Sequence, residues 1–100
     1  MTMTELEIQR CERCETSLFP DRLWCPGCGA AQLSHEPAGP GRVEEETTLR
    51  RSAEPVRLGT VRLESGPLII ARLSRHARAG TQVHLELTPS RTIWARATPD

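Results

Sequence analysis

The chain has 100 residues, with 13 basic and 13 acidic side chains, so its formal net charge is zero. This balance argues against a nucleic-acid-binding protein, because the surfaces of such proteins are usually strongly basic. The length allows one domain or two very small ones, and only Phe19, Trp24 and Trp94 supply aromatic rings for a core.

The first ten residues, MTMTELEIQR, are mostly polar and are predicted to form a flexible lead-in (residues 1–10). They lack the basic and apolar segments of a signal peptide. The longest apolar run in the chain, residues 68–71, is far shorter than the roughly 18 residues that a membrane helix needs. We therefore expect a cytoplasmic protein that does not enter a membrane.

All the cysteines of the chain lie in residues 11–33, as two C-x-x-C pairs with ten residues between them. In a reducing compartment this arrangement favours a metal over disulfides. Each pair can form a tight turn that aims two thiolates at one point, and two such turns surround a tetrahedral Zn²⁺. Four cysteine ligands leave no coordination position open, so the pattern predicts a structural zinc ribbon. Its predicted ligands are Cys11, Cys14, Cys25 and Cys28.

Two details of the predicted ribbon concern its turns and its connection. Gly29 follows the last cysteine and can adopt the positive φ that such a turn often requires, whereas Glu15 occupies the matching place in the first turn. Between the turns, Leu18, Phe19 and Trp24 are interpreted as a small core of the ribbon. The alternative is that Phe19 or Trp24 contacts a partner protein.

Residues 34–40 are predicted to be a linker because they are rich in proline and glycine. From residue 41 to residue 97 the apolar pattern has a period near two, which indicates strands. Short turns separate five candidates: 43–50, 55–64, 68–74, 81–88 and 91–97. A break of step at Gly59-Thr60 suggests a bulge. The pattern predicts a mainly β protein in which an OB-like, five-stranded antiparallel barrel follows the ribbon, although a half-sandwich fits it as well.

The segments CERC, SLFPDR and CPGCG, in this order, resemble the rubredoxin-like zinc ribbon of the acyl-CoA-associated zinc-ribbon/OB-fold family. Later segments are also similar to that family. They are the glycines, valine and threonine at 39, 41, 43 and 47, the stretch VRLESGPLIIARL, and Gly80 followed by VHLEL. The resemblance covers residues 11–88.

Members of this family accompany thiolases, ketosynthase-like enzymes, aldolases or hydratases that act on coenzyme A thioesters. The resemblance therefore implies a non-catalytic accessory subunit that docks on a thiolase- or ketosynthase-type enzyme and helps to shape or stabilise its acyl-CoA site. The family usually has a helical segment before the ribbon, whereas ten residues precede Cys11 here. Any partner contacts of that segment must then be made by other residues.

Arginines on the connection at 75–80 are candidates for binding the phosphates of acyl-CoA. Arg75 and Arg78 could each make bidentate contacts with phosphate oxygens. The alternative is a solvated basic loop without a ligand.

Two other functions remain open from the residues alone. One is a protein-interaction adaptor without a coenzyme A link. The other is a module for single-stranded nucleic acid, since OB-folds and zinc ribbons both serve that purpose. The neutral charge, the scattered aromatic residues and the run Glu44-Glu45-Glu46 on a predicted strand argue against it. The chain is not expected to be an enzyme itself, because every cysteine is assigned to zinc and no catalytic arrangement is recognisable.

Overall fold

A computed structural model describes residues 3–50 and 53–98, and these residues form strands and turns without any helix. The described part therefore holds no helix able to cross a bilayer. Its strands are β1 (Thr4–Glu5), β2 (Glu7–Cys11), β3 (Ser17–Leu18), β4 (Leu33–Pro37), β5 (Gly41–Leu49), β6 (Val56–Leu63), β7 (Leu68–Leu73), β8 (Gln82–Leu87) and β9 (Ile93–Ala97).

The last five strands close into a barrel with the order β8-β5-β6-β7-β9, and β9 returns to β8. This confirms the predicted mainly β fold and its five-stranded barrel, and excludes the half-sandwich. The prediction was wrong in one respect, because β7 and β9 run parallel, with Arg72 opposite Trp94. In the chain, β8 lies between β7 and β9 and runs antiparallel to β9. When β9 closes the barrel, it therefore has the same direction as β7.

The apolar residues of β6 change from one face of the strand to the other at Gly59. Beyond it, Val61 and Leu63 point into the core with at most 1% of their surface exposed, whereas Val56 and Leu58 before it are only half-buried. The glycine itself faces inward. A Cβ there would lie 2.7 Å from the carbonyl oxygen of Glu45, so only glycine allows the close packing seen here. The predicted bulge in β6 is therefore wrong, and the register shift lies in β5, between Val43 and Glu45.

The ribbon is a second, three-stranded sheet with the order β3-β2-β4. Its central strand includes residues 7–10, and β1 pairs with β8 of the barrel. The structure thus differs from the predicted lead-in, because Leu6 and Ile8 are buried and draw this segment into the fold. The predicted linker at 34–40 likewise contains most of β4, which pairs with β2 along its whole length.

One hydrophobic core serves both parts of the molecule. Leu6 and Ala38, which flank the ribbon, and Ile8 on its central strand pack in the same cluster as the inward-facing residues of the barrel. Backbone hydrogen bonds reinforce this junction: the N–H of Leu6 donates to Leu85 and the N–H of Ala38 donates to Leu6. The ribbon is therefore held against the barrel by buried apolar surface, and the two parts should unfold together.

We predict that Ile8→Ala destabilises the barrel and weakens zinc binding at the same time. Ile8 is fully buried, and removing its side chain should lower the free energy of unfolding by about 2–5 kcal/mol. Denaturant melts of the barrel and competitive zinc titrations would measure both effects. Leu23→Ala is the control, because Leu23 is 84% exposed. A ribbon that loses zinc while the barrel melts unchanged would show that the two parts fold independently.

Candidate metal centre

The two cysteine turns have matching backbone geometry. In the first turn the N–H of Glu15 donates to the carbonyl of Cys11 at 2.9 Å, and in the second the N–H of Gly29 donates to Cys25 at 2.8 Å. The residue after each second cysteine is left-handed, with φ of 63° at Glu15 and 79° at Gly29. The correspondence predicted from the sequence is therefore present, including the non-glycine residue in the strained position of the first turn.

The four cysteine sulfurs form a compact cluster across the two turns. All of them lie within 4.8 Å of one another. Two pairs, Cys11 with Cys28 and Cys14 with Cys25, have Sγ–Sγ distances of 3.6 Å. A tetrahedral zinc with Zn–S bonds of about 2.3 Å requires sulfurs about 3.8 Å apart. The cluster therefore fits the predicted Zn²⁺, held by Cys11, Cys14, Cys25 and Cys28.

The surroundings of the sulfurs favour ionisation at some positions and oppose it at others. A hydrogen bond from the Thr16 hydroxyl, 3.0 Å from Cys14 Sγ, lowers the pKa of Cys14 to about 6. The backbone N–H of Ala30 lowers the pKa of Cys28, but desolvation and the neighbouring cysteines outweigh it and raise that pKa to about 11. Four thiolates this close repel one another, so full ionisation requires a cation.

Burial distinguishes the inner and outer sides of the centre. Cys11 and Cys25 are fully buried and pack with Leu18 and Ala30, while Cys14 and Cys28 lie at the surface. With four cysteine ligands, a bound zinc keeps no position for water or substrate. The centre is therefore suited to a structural metal.

The connection between the cysteine turns is held by a buried amide that sequence reasoning missed. The side chain of Gln9 donates to the carbonyl of Arg22 at 3.0 Å and accepts from its N–H at 2.6 Å. Beyond this clamp, Leu23 is 84% exposed and Trp24 60% exposed. Nothing in the sequence singled out Gln9, because a glutamine in a polar segment is ordinarily solvated.

The remaining predicted site residues lie in different environments. Leu18 belongs to the small ribbon core as expected, but Trp24 does not. Phe19 packs partly buried against the main core, at the junction with the barrel. Arg78 is 62% exposed and lies 3.7 Å from Glu46, whereas Arg75 makes no ion pair with any residue that the structure describes. Coenzyme binding by these arginines and partner contact by Phe19 and Trp24 remain predictions.

Comparisons with known proteins found similarity both for the ribbon and for the whole fold. Residues 5–34 match the family described as "ChsH2, rubredoxin-like zinc ribbon domain". The solved structure of a "Ltp2-ChsH2(DUF35) aldolase" is 25% identical, with a TM-score of 0.75 over 93% of this chain and 84% of that one. A DUF35-family protein of unknown function from Sulfolobus solfataricus shares the fold, with 14% identity and a TM-score of 0.66 over 94% of this chain and 76% of its own. No curated protein matches the sequence significantly.

We predict that Gly29→Ala weakens zinc binding about fivefold. The φ of 79° at Gly29 costs an L-residue about 1 kcal/mol, and a Cβ there meets no atom within 4 Å, so backbone strain is the only new term. Gly27→Ala is the matched control, since its Cβ would make an ordinary 3.7 Å contact with Cys25 Sγ. Competition against a chromogenic chelator would give both affinities. Equal losses in the two variants would contradict the strain argument.

Proposed function

Since this chain is a ChsH2-like zinc-ribbon/OB-fold protein, we propose that it is a non-catalytic accessory subunit of a thiolase- or ketosynthase-type acyl-CoA enzyme. In this proposal it docks on the enzyme and helps to shape or stabilise the acyl-CoA site. The observation that carries the proposal is the similarity over 93% of the chain to the Ltp2-ChsH2(DUF35) aldolase, which combines a DUF35 protein with a second protein, Ltp2. We place the assembly in the cytoplasm, where reduced thiols keep their zinc.

The chemistry of the metal centre supports an accessory role. Among the described residues, the four cysteines form the only cluster of three or more His, Cys, Asp or Glu side chains suited to a metal. A zinc with four thiolate ligands neither activates water nor polarises a substrate, because it has no free coordination position. Its contribution is folding free energy, on the order of 10 kcal/mol, to a ribbon too small to bury a large core.

The tip of the ribbon supports docking on a protein partner. Leu23 and Trp24 are exposed beyond the Gln9 clamp, and a shallow depression lies between Asp21, Arg22 and Pro26 beside them. Exposed apolar side chains that are held by a rigid scaffold are typical of binding surfaces, and tryptophan is enriched among residues that dominate binding energy. Phe19 faces the barrel core instead and would act by positioning the tip.

We predict that a tagged chain recovers a thiolase-fold or related acyl-CoA enzyme in near-stoichiometric amount from its native cells. Changing Leu23 and Trp24 together to serine should reduce that recovery at least about tenfold, because the variant loses its exposed apolar contacts. Glu12→Ala, an exposed change in the first cysteine turn, is the control. Mass spectrometry of the eluates would identify the partner. Recovery of nucleic-acid machinery, or of no stoichiometric protein, would overturn the proposal.

We predict that Arg75→Ala combined with Arg78→Ala weakens acyl-CoA binding by the complex about tenfold. Loss of one charge-assisted hydrogen bond between a guanidinium and a coenzyme A phosphate costs about 1.5–3 kcal/mol, and the lower end of this range corresponds to about tenfold in affinity. Phosphate must compete with Glu46 for Arg78, so the effect should come mainly from Arg75. Calorimetric titration of the complex with acyl-CoA would measure it, with Arg13→Ala in the ribbon as control. Unchanged affinity would remove the coenzyme role and leave an adaptor that binds the enzyme alone.

A further inference from the structure

The exposed large apolar side chains outside the ribbon tip share one surface of the barrel. Leu49, Leu68 and Ile70 are exposed, and Ile70 has 69% of its surface open to solvent. Strand alternation and register put them on the outer side of three adjacent strands. We call this surface the β5–β7 face. It consists of the outward residues of β5–β7, with Glu45, Leu58, Thr60, Ile70 and Arg72 around its centre and Arg62 beside Leu68 at one edge.

The change of face at Gly59 creates the apolar centre of this surface. Because Val61 and Leu63 take the inward positions of β6, the residues Val56 and Leu58 are left on the outside. A shallow depression there is lined by Leu58, Thr60 and Ile70 together with Glu45 and Thr47 of the neighbouring strand. A contiguous exposed apolar patch on a small barrel is typical of an interaction surface.

Two unpaired charges of opposite sign flank the apolar centre. Across the three strands, Glu45 lies in one row with Thr60 and Ile70, and Arg72 lies at the far end of the next row, which contains Leu58. Within the described residues neither Glu45 nor Arg72 makes an ion pair. Their neighbours differ, since Glu44 pairs with Arg62, and Glu46 lies near both Arg57 and Arg78.

The unpaired guanidinium is nevertheless held in place. Arg72 lies over the ring of Trp94, with its Cζ atom 4.7 Å from the ring centre. This cation–π contact restricts the side chain before any partner arrives, so less conformational entropy is lost when a carboxylate meets it. The β5–β7 face therefore presents a fixed cation on one side of its centre and a free carboxylate on the other.

We propose that the β5–β7 face is the interface of a homodimer. A twofold interface brings the same surface together from both copies, so it requires a surface that is complementary to itself. With the axis in the plane of the interface and perpendicular to the line from Glu45 to Arg72, Leu58 and Ile70 of the two copies pack at the centre. Glu45 of each copy then meets Arg72 of the other. This pairing is independent of the enzyme partner proposed above.

The test is sedimentation velocity of the full zinc-loaded chain across a range of concentrations. The wild type should show a monomer–dimer equilibrium. Ile70→Asp should raise the dissociation constant at least about tenfold, because it buries an unpaired charge at the centre. Thr48→Asp is the matched control, since Thr48 lies on β5 with its neighbours Thr47 and Leu49 directed to the opposite side. Melting curves at low concentration would verify that each variant is folded.

Exchanging the charges of Glu45 and Arg72 distinguishes a homodimer interface from binding of a different protein to this surface. Glu45→Arg and Arg72→Glu should each raise the dimer dissociation constant about tenfold or more, because each places like charges opposite one another twice per dimer. The double variant restores complementary pairs and should return to within about threefold of the wild type. Double-variant dimers as weak as those of either single variant would overturn the proposal.

Two other outcomes would also overturn it. One is a wild-type chain that stays monomeric at every concentration, and the other is a dimer that Ile70→Asp does not weaken. If the monomeric chain instead loses affinity for a purified acyl-CoA enzyme subunit when Ile70 is changed to Asp, the β5–β7 face belongs to that enzyme.

Discussion

Repulsion among four clustered thiolates is the constraint on which the ribbon depends. Their sulfurs lie within 4.8 Å of one another, an arrangement that is stable in ionised form only around a cation. The three short strands of the ribbon bury little apolar surface of their own, so zinc binding supplies the free energy that fixes both turns. The backbone strain at Glu15, with its φ of 63°, persists because metal coordination determines the turn around it.

The shared core extends this constraint to the barrel. Cys11 ends the same strand that contains Ile8, and Ile8 packs among the inward-facing residues of the barrel. The position of the zinc is therefore coupled to the barrel core through the extended chain of β2. An accessory subunit benefits from such coupling, since its exposed tip keeps a fixed orientation relative to the barrel surface without a large interface between them.

The sequence predicted those features that depend on local spacing. Two C-x-x-C pairs specify the ligands, and period-two alternation in Val83, Leu85 and neighbouring strands specifies the barrel. It did not reveal that Leu6 and Ile8 pack into the barrel core, because two apolar residues in a polar segment give only a weak periodic signal and their burial depends on distant strands. Val56 and Leu58 were misleading for a related reason: alternation shows that residues share a face, but not which face points inward.

The clamp formed by Gln9 holds the backbone of the ribbon tip and leaves the side chains of the tip free to vary. The Gln9 side chain hydrogen-bonds the backbone N–H and carbonyl of Arg22, so this clamp holds the backbone at Arg22 without using the side chains of residues 22–24. The exposed positions 22–24 can therefore change during evolution, or by design, without loss of the supporting fold. Duplicated copies of such a subunit could acquire different enzyme partners by substitutions at the tip alone, and an engineered tip could redirect the same scaffold to a chosen surface.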